Sequence, residues 1–329
     1  MGSRAERVAV GVDLGGTNLT GLLVSDRGTV AGRELRATPA ALGAEAVLGA
    51  VLDVASGLAG QARELGHEIA GVGLGIPGPV DADRGVCLFS PNLGWRDLDV
   101  ISRFREVFNV PVRIDNDVRA ATLGEAWLGA GHPYRTFVCL TVGTGIGSGL
   151  VLDGRLWRGP GYSAGELGHI PVVDGPDAPP CGCGRRGCLE AVASGTAIGR
   201  EGRRAASRGE PTSLARLPAE DITARVVAEH ARAGDATAAR VLRRAAVYLG
   251  LGIATAVNLL NPEAVIVGGR VSRSWDLIQP EVTRVVSEKG FPPNLLFLRG
   301  VFPAELGEDA GAIGAASLVL GPGGGAVSR

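Results

Sequence analysis

Four side chains that can bind a metal lie close together in a glycine-rich stretch. His169, Cys181, Cys183 and Cys188 follow the pattern His-x11-Cys-x-Cys-x4-Cys, with glycines between the cysteines. Three thiolates and one imidazole complete a tetrahedral zinc shell, and glycines let the backbone wrap tightly around the ion. Because the protein fills all four positions, the pattern predicts a structural Zn2+ rather than a catalytic one. The alternative is a glycine-rich loop with free thiols.

Two glycine-rich turns, at 13–18 (DLGGTN) and 143–147 (GTGIG), each separate two short apolar runs. Small residues let backbone N–H groups approach phosphate oxygens, and the hydroxyls of Thr17, Thr144 and Ser148 add donors. The similarity of the two turns indicates a weak internal duplication. The pair therefore predicts two α/β lobes that hold one polyphosphate in the cleft between them.

Acidic and amide side chains in the loops provide further polar groups. Asp13, at the first turn, would repel phosphate unless Mg2+ intervened, so its presence favours a metal-bound nucleotide. The other groups suit sugar hydroxyls, which are recognised by side chains that accept and donate hydrogen bonds. They are Asn92, Asn116, Asp117, Glu166 and Glu190. The alternative is that Asp117 only caps a helix and the glutamates are solvated charges.

These residues need strands and helices to position them, and the apolar patterns predict both. Strands are expected at 8–12, 19–24, 72–76, 112–114, 137–142 and 264–267, and helices at 44–65, 118–128, within 196–260 and at 308–320. The predicted lobes are 1–117, to which the helix at about 308–320 returns, and 118–307, which includes the zinc loop 159–190. Residues 321–329 are expected to form a flexible tail.

Composition and other motifs exclude several classes of function. The chain has 329 residues, 45% hydrophobic, and a formal net charge of −1, so neither a nucleic-acid nor a membrane partner is expected. No P-loop motif is present. The glycine patterns at 73–78 and 161–165 lack the strand-to-helix context of a dinucleotide site and of a nucleophile elbow. The uncharged stretch 245–262 is interpreted as a buried helix, and the absence of an apolar signal segment indicates a cytoplasmic protein.

The motifs together resemble the ROK family of sugar kinases, a branch of the actin-like and hexokinase-like ATPases. The resemblance rests on the segments 13–18, 115–117 (DND), 143–147, 165–169 (GELGH) and 181–190 (CGCGRRGCLE), and it extends from Val8 to about Leu318. It implies an α/β, two-lobed actin-like or hexokinase-like (ribonuclease H-like) ATPase fold with an interlobe cleft. It also implies ATP with Mg2+, a structural Zn2+, and a homodimer or tetramer.

The resemblance assigns a role to each matching residue. Asp117 would be the general base that takes the proton of the sugar's 6-hydroxyl as that hydroxyl attacks the γ-phosphate of ATP. His169 would bind zinc with one ring nitrogen and sugar with the other. The sugar contacts would be Gly78, Asn92, Asn116, Asp117, Glu166, His169 and Glu190. The nucleotide contacts would be Asp13, Gly15, Gly16, Thr17, Asn18, Thr144 and Gly145 at the phosphates, with Gly268 and Gly269 beside the adenosine.

The activity that the resemblance implies is phosphorylation of glucose at the 6-hydroxyl, partly because 92–95 (NLGW) is similar to the sugar loop of glucokinases. Kinases for N-acetylmannosamine, N-acetylglucosamine or fructose are the nearest alternative, and polyphosphate or ADP could replace ATP as the phosphate donor. A sugar-sensing transcription regulator is the alternative from another class. Only about seven residues precede the first strand, which is too few for a DNA-reading domain.

Overall fold

The computed structural model describes residues 6–90 and 93–320. Its residues group into two units. The first contains the described residues up to Arg135, Gly149–Ala164 and those from Glu305 onward; the second contains Thr136–Ser148 and Gly165–Ala304. The lobe boundaries expected from the sequence remain a prediction, and the predicted flexible tail, 321–329, lies outside the described residues.

Thirteen strands and ten α-helices occur in the described residues. The strands are β1 (Arg7–Leu14), β2 (Asn18–Ser25), β3 (Val30–Ala37), β4 (Glu68–Ile76), β5 (Val80–Asp81), β6 (Val86–Ser90), β7 (Trp95–Asp99), β8 (Val112–Asn116), β9 (Phe137–Val142), β10 (Ile146–Leu152), β11 (Arg155–Trp157), β12 (Ala264–Gly268) and β13 (Val301–Pro303). The helices are α1 (Ala44–Glu64), α2 (Val100–Arg105), α3 (Asp117–Leu128), α4 (Leu189–Ala193), α5 (Gly195–Ser207), α6 (Ala224–Arg232), α7 (Ala236–Leu260), α8 (Trp275–Lys289), α9 (Pro292–Leu295) and α10 (Ala310–Leu320).

The first unit is built on a five-stranded sheet in the order β3-β2-β1-β4-β8. Strand β1 is antiparallel to β2 and parallel to β4, and β4 is parallel to β8. Side chains alternate across β1, so Val8, Val10 and Val12 join a core cluster with residues of α1, whereas Ala9 packs with residues of α10. Because β1, β4 and β8 are parallel, the carboxyl ends of β1 and β8, which carry Asp13 and Asn116, lie at the same edge of the sheet.

Helix α10 approaches the sheet and α3 closely because small residues line the contact. A Cβ added at Gly11 would lie 2.0 Å from the Ala312 carbonyl oxygen, and one at Gly73 would lie 1.8 Å from that of Ala315. A Cβ at Gly314 would lie 1.6 Å from the carbonyl oxygen of Ala120 in α3. These contacts leave no space for larger side chains. They place the start of α10 directly beside the end of β1.

The second unit contains strands β10, β9, β12 and β13 side by side in that order, with β9, β12 and β13 parallel. Strand β10 continues into the first unit, where Leu150–Leu152 pair with β11. Helix α7 packs against α8 and α6. Asn261, in the left-handed conformation, ends α7, and Pro262 follows it.

Several local predictions are confirmed and one is wrong. Residues 245–260 form a helix with many buried side chains, as predicted, and no described helix is long and apolar enough to cross a membrane. Cys87 and Cys139 lie in apolar, strand-like runs of the sequence, which predict core positions, and both are buried. The predicted cap is wrong, because Asp117 is the first residue of α3 and Asn116 is its N-cap. An amide oxygen satisfies the exposed N–H groups of a helix start as well as a carboxylate does.

Candidate active site and metal centre

Asp117 lies where β8 ends and α3 begins, and Asn116 fixes its side chain. The Asn116 Oδ1 accepts a hydrogen bond from the Arg119 N–H at 3.1 Å, which caps the helix. The Asn116 Nδ2 donates to Asp117 Oδ1 at 2.7 Å and to the Gly78 carbonyl at 3.1 Å. Desolvation raises the pKa of Asp117, although hydrogen bonds from the Val118 N–H and from Asn116 act against this rise. The result is a rigidly held carboxylate with increased proton affinity.

Asp13 lies in β1 next to the first glycine turn, and its carboxyl group is enclosed by glycines. A Cβ at Gly311 would lie 2.4 Å from this carboxyl group, and one at Gly75 would lie 3.2 Å from its Oδ1. The Oδ1 atom is buried and has no hydrogen-bond partner among the described residues. Burial and the charge of Asp117 raise the pKa of Asp13 to about 7. A buried oxygen without a donor is suited to a cation.

The first glycine turn is exposed. The Gly15 N–H donates to the Asn18 carbonyl at 2.9 Å, and the Thr38 hydroxyl donates to the Gly15 carbonyl at 2.7 Å. Gly16, Thr17 and Asn18 are exposed to solvent. The Gly15 N–H is used to close the turn. The donors that remain for an incoming anion therefore belong to Gly16, Thr17 and Asn18.

Gly78 also belongs to the first unit. It has a φ of 98°, and a Cβ there would lie 2.2 Å from the Phe89 carbonyl oxygen, so only glycine fits. Its carbonyl supports Asn116, as described above. Asn92, another predicted sugar ligand, lies outside the described residues.

A buried ion-pair network next to Asp117 was not predicted from the sequence. Asp115 is fully buried; its Oδ1 accepts from Arg119 Nε at 2.8 Å and its Oδ2 from Arg158 Nη2 at 2.6 Å. Arg119 also donates to the Tyr162 carbonyl at 2.7 Å. The network joins the end of β8 to the segment that follows β11. The four-residue spacing of Asp115 and Arg119 was a signal for half of it, but nothing local pointed to Arg158.

The second unit brings the four predicted metal ligands together. Their ligand atoms all lie within 4.8 Å of one another. The Sγ atoms of Cys183 and Cys188 are 3.7 Å apart, and Cys181 Sγ is 3.6 Å from His169 Nδ1. Zn–S and Zn–N bonds of about 2.3 and 2.1 Å give tetrahedral edges of roughly 3.4–3.8 Å. Hydrogen bonds from Arg185 lower the pKa of Cys183 to about 6, which favours the thiolate that binds metals.

Glu190 connects the metal ligands to the second glycine turn. Its Oε2 accepts a hydrogen bond from the Ile146 N–H at 2.9 Å, and its Oε1 lies 3.6 Å from Cys181 Sγ. A Cβ at Gly145 would lie 2.3 Å from Glu190 Oε2, so the missing side chain permits this contact. Glu190, predicted as a sugar ligand, thus also supports the turn. This role was not visible in the sequence.

Glu166 and His169 lie on the 165–169 segment, beside the metal ligands. Glu166 is exposed, and its Oε2 is 3.9 Å from His169 Nε2. Since His169 Nδ1 faces Cys181, its two ring nitrogens face different groups. Ser148, expected to donate to phosphate, instead donates its hydroxyl to the Gly165 carbonyl. Ser148 therefore ties β10 to this segment.

Thr144, Gly268 and Gly269 complete the predicted nucleotide residues of the second unit. The Thr144 carbonyl accepts from the Thr196 hydroxyl at 2.8 Å, which ties the second turn to the start of α5. Gly269 has a φ of 85°, and a Cβ there would lie 2.5 Å from the Val142 carbonyl oxygen. Glycine is therefore required at 269 by the close passage of β9. Gly268 is buried at the end of β12.

The sequence matches the ROK family over residues 9–321. The chain belongs to the ROK family. It is 34% identical to a glucokinase of Halalkalibacterium halodurans over 75% of each chain. It is 36% identical to a glucokinase of Streptomyces coelicolor over 59% of this chain, and that match spans 58% of the relative. The membership that the motifs predicted is confirmed.

Solved structures of the family share the fold. A ROK glucokinase from Streptomyces griseus, in complex with glucose and AMPPNP, is 34% identical and has a TM-score of 0.78, covering 95% of this chain and 99% of that one. A ROK transcriptional regulator, a homologue of the E. coli MLC protein, is 27% identical and has a TM-score of 0.86, covering 96% of this chain and 78% of that one. The predicted α/β, actin-like ATPase fold is confirmed.

Proposed function

We propose that this ROK protein is an ATP-dependent hexose kinase that converts glucose to glucose 6-phosphate, with Asp117 as general base. The observation that carries the proposal is the carboxylate of Asp117, which Asn116 holds at the end of β8 and whose pKa is raised. Glucokinases among its relatives support the choice of reaction. The glucose-bound relative of the same fold supports the choice of sugar.

In the proposed reaction, Asp117 accepts the proton of the 6-hydroxyl as that oxygen attacks the γ-phosphorus of ATP. The new O–P bond forms while the bond between the γ-phosphorus and the β,γ-bridging oxygen breaks, and ADP leaves with the electron pair. Phosphoryl transfer depends mainly on positioning and charge neutralisation. Because the cap fixes the Asn116 amide through Oδ1, its Nδ2 is held in place to donate to Asp117 and orient the base.

Asp13 fits Mg2+, because its Oδ1 is buried and lacks a hydrogen-bond partner among the described residues, and an unpartnered carboxylate oxygen is the kind of ligand that Mg2+ prefers. Bound with ATP, Mg2+ would neutralise charge on the phosphates. Gly15 would close the first turn through its own N–H, Gly16, Thr17 and Asn18 would bind the phosphates from that turn, and Thr144 and Gly145 would bind them from the second. The adenosine would lie beside Gly268 and Gly269, where side chains are absent.

The residues His169, Cys181, Cys183 and Cys188 fit Zn2+, because the Cys181–His169 and Cys183–Cys188 separations match edges of a tetrahedral site and all four ligand atoms lie within 4.8 Å of one another. The ion would order the 159–190 loop. His169 would then bind it through Nδ1 and present Nε2, next to Glu166, to the sugar. The proposed sugar contacts are Gly78, Asn92, Asn116, Asp117, Glu166, His169 and Glu190.

The decisive experiment compares Asp117→Asn with the unchanged protein in a coupled assay for glucose 6-phosphate. Removing a general base lowers kcat by roughly 10²–10⁴-fold, while the KM for glucose changes little because the amide keeps most hydrogen bonds. Asp26→Asn is the matched control, since Asp26 is exposed in the turn after β2. Retention of more than about a tenth of kcat in Asp117→Asn would remove Asp117 from this role.

A panel of hexoses and phosphate donors tests the finer parts of the proposal. Ranking glucose, N-acetylmannosamine, N-acetylglucosamine and fructose by kcat/KM identifies the preferred sugar. Replacing ATP with ADP or polyphosphate identifies the donor. Sedimentation analysis tests the proposed homodimer.

A sugar-sensing regulator is the second candidate, because a ROK transcriptional regulator has a TM-score of 0.86 to this chain. Binding of a sugar without phosphorylation of any hexose, together with sequence-specific DNA binding at physiological salt, would favour it. A kinase would phosphorylate at least one hexose and would not bind DNA with sequence specificity at physiological salt.

A further inference from the structure

A cavity of about 300 Å³ lies in the second unit, beside α5, α7 and the loop that precedes Cys181. Six of its sixteen lining residues are arginines, whereas arginine makes up about one residue in ten of the whole chain. They are Arg186, Arg200, Arg204, Arg208, Arg240 and Arg244. None of the sixteen belongs to the candidate active site or the metal centre.

The acidic residues of the cavity do not balance these arginines. Only three line it: Asp177, Glu201 and Glu210. Glu201 is shared between Arg200, at 3.6 Å, and Arg204, at 3.2 Å, and Glu210 pairs with Arg240. The lining therefore carries three more positive than negative charges. Five of the six arginines are exposed to solvent, and a surplus of positive charge around one concave surface attracts anions.

Helix geometry does not account for the surplus. Arg204 and Arg208 lie at the carboxyl end of α5, where the helix dipole favours cations. Arg240 and Arg244, however, lie beyond the first turn of α7, and their four-residue spacing places two like charges side by side. The repulsion between these two arginines, which the pair of Arg240 with Glu210 offsets only in part, destabilises the free protein. An anion between the two helices would reverse that effect.

We propose that this cavity binds a phosphorylated small molecule that carries at least two negative charges. Guanidinium groups match phosphate oxygens in pairs, and arginines on two helices can hold one phosphate from both sides. The volume is at the lower end of the range for small-molecule sites, which suits a sugar phosphate or pyrophosphate. Because Asp177, Pro180 and Arg186 come from the 159–190 loop, the bound molecule would contact the segment that carries the metal ligands.

Isothermal titration calorimetry of the full chain tests this proposal with two probes, inorganic pyrophosphate and glucose 6-phosphate. The variant Arg204→Gln/Arg244→Gln removes one guanidinium from each helix. The control Arg225→Gln/Arg243→Gln removes the same charge from exposed positions on α6 and α7 that do not line the cavity. Both double variants keep the active-site residues. A difference in probe affinity between the cavity variant and the control therefore reports on the cavity alone, and this comparison is valid whether or not the chain is a kinase.

We expect at least one probe to bind the unchanged protein at a site whose affinity falls about 100-fold in the cavity variant, or on the order of tenfold per guanidinium, and stays the same in the control. Any binding of a probe at the proposed active site would be equal in all three proteins. Tighter binding of glucose 6-phosphate would identify the ligand as a phosphorylated sugar, and tighter binding of pyrophosphate would identify an inorganic polyanion. Failure of both probes to bind at millimolar concentration would overturn the proposal. Equal weakening in both variants, or dissociation of an oligomer by the cavity variant without any anion binding, would also overturn it.

Discussion

Replacing Asp13 by asparagine gives the most direct test of the electrostatics at the end of β1. The pKa of Asp13 is raised from 3.8 to about 7 by burial and by the charge of Asp117. The folded chain therefore holds this proton more tightly than the unfolded chain does. As pH rises from about 4 to about 7, the free energy of unfolding must fall, and above about pH 7 this contribution stays constant.

The size of the effect follows from the shift. A rise of about three pKa units corresponds to about 4 kcal/mol, because each unit is worth about 1.4 kcal/mol. The Asp13→Asn variant has no charge to desolvate and loses this dependence. At about pH 8 we expect it to be more stable than the unchanged protein by up to 4 kcal/mol, and at about pH 4 to be almost equal to it.

Urea unfolding at a series of pH values, in buffer without added divalent ions, measures this difference. Asp26→Asn is the control for the same chemical change at an exposed site. Adding Mg2+ should stabilise the unchanged protein above pH 7 and leave Asp13→Asn unaffected, because only the carboxylate binds the ion. The raised pKa of Asp117 contributes a decline of the same sign in both proteins. The reasoning fails if the decline in unfolding free energy between about pH 4 and 7 is as large in Asp13→Asn as in the unchanged protein.

Three further substitutions test other parts of the structure. Cys183→Ser should release bound zinc, detected by metal analysis, and weaken glucose binding; full zinc content in the purified variant would contradict the proposed ligand set. Arg158→Met should lower the free energy of unfolding by about 3 kcal/mol in urea, because it removes one partner of the buried carboxylate in β8; a change below about 0.5 kcal/mol would contradict this. Gly145→Ala should lower the free energy of unfolding in urea by about 1–3 kcal/mol, because its Cβ would lie 2.3 Å from the Glu190 carboxylate. In the control Gly143→Ala, the added Cβ meets no atom within 4 Å, so the free energy of unfolding should fall much less.

The parts of the site that the sequence predicted are those encoded by neighbouring residues. The four metal ligands lie within 20 consecutive positions, 169–188, and glycines separate the cysteines, so the local pattern indicated that they meet. The turn at Gly15 was predicted for the same reason. The strands and helices that apolar spacing predicted are present, whereas β3, β6, β7 and α8 were not predicted. The cap of α3 was wrong by one residue.

The parts that escaped prediction depend on residues that are distant in the sequence. Arg158 reaches Asp115 from 43 positions away, and many exposed arginines of the chain have the same local surroundings. The unpartnered Oδ1 of Asp13 results from enclosure by Gly75 and by Gly311, which lies almost 300 residues later. Only packing shows which charges are buried, and packing is not periodic.

The contacts of Glu190 join two features that the sequence suggested as separate sites. Its Oε2 holds the Ile146 N–H in the second glycine turn, while its Oε1 faces Cys181 in the metal-ligand cluster. Because one carboxylate spans both, its position depends on both, and Gly145 must lack a side chain to admit it. A metal bound by Cys181 would displace the thiol proton that this contact uses, so metal binding would change the surroundings of the carboxylate that supports the turn proposed to bind phosphate. The proposed sugar and phosphate contacts of this unit thus share one support, so a change in the loop should alter the binding of both substrates.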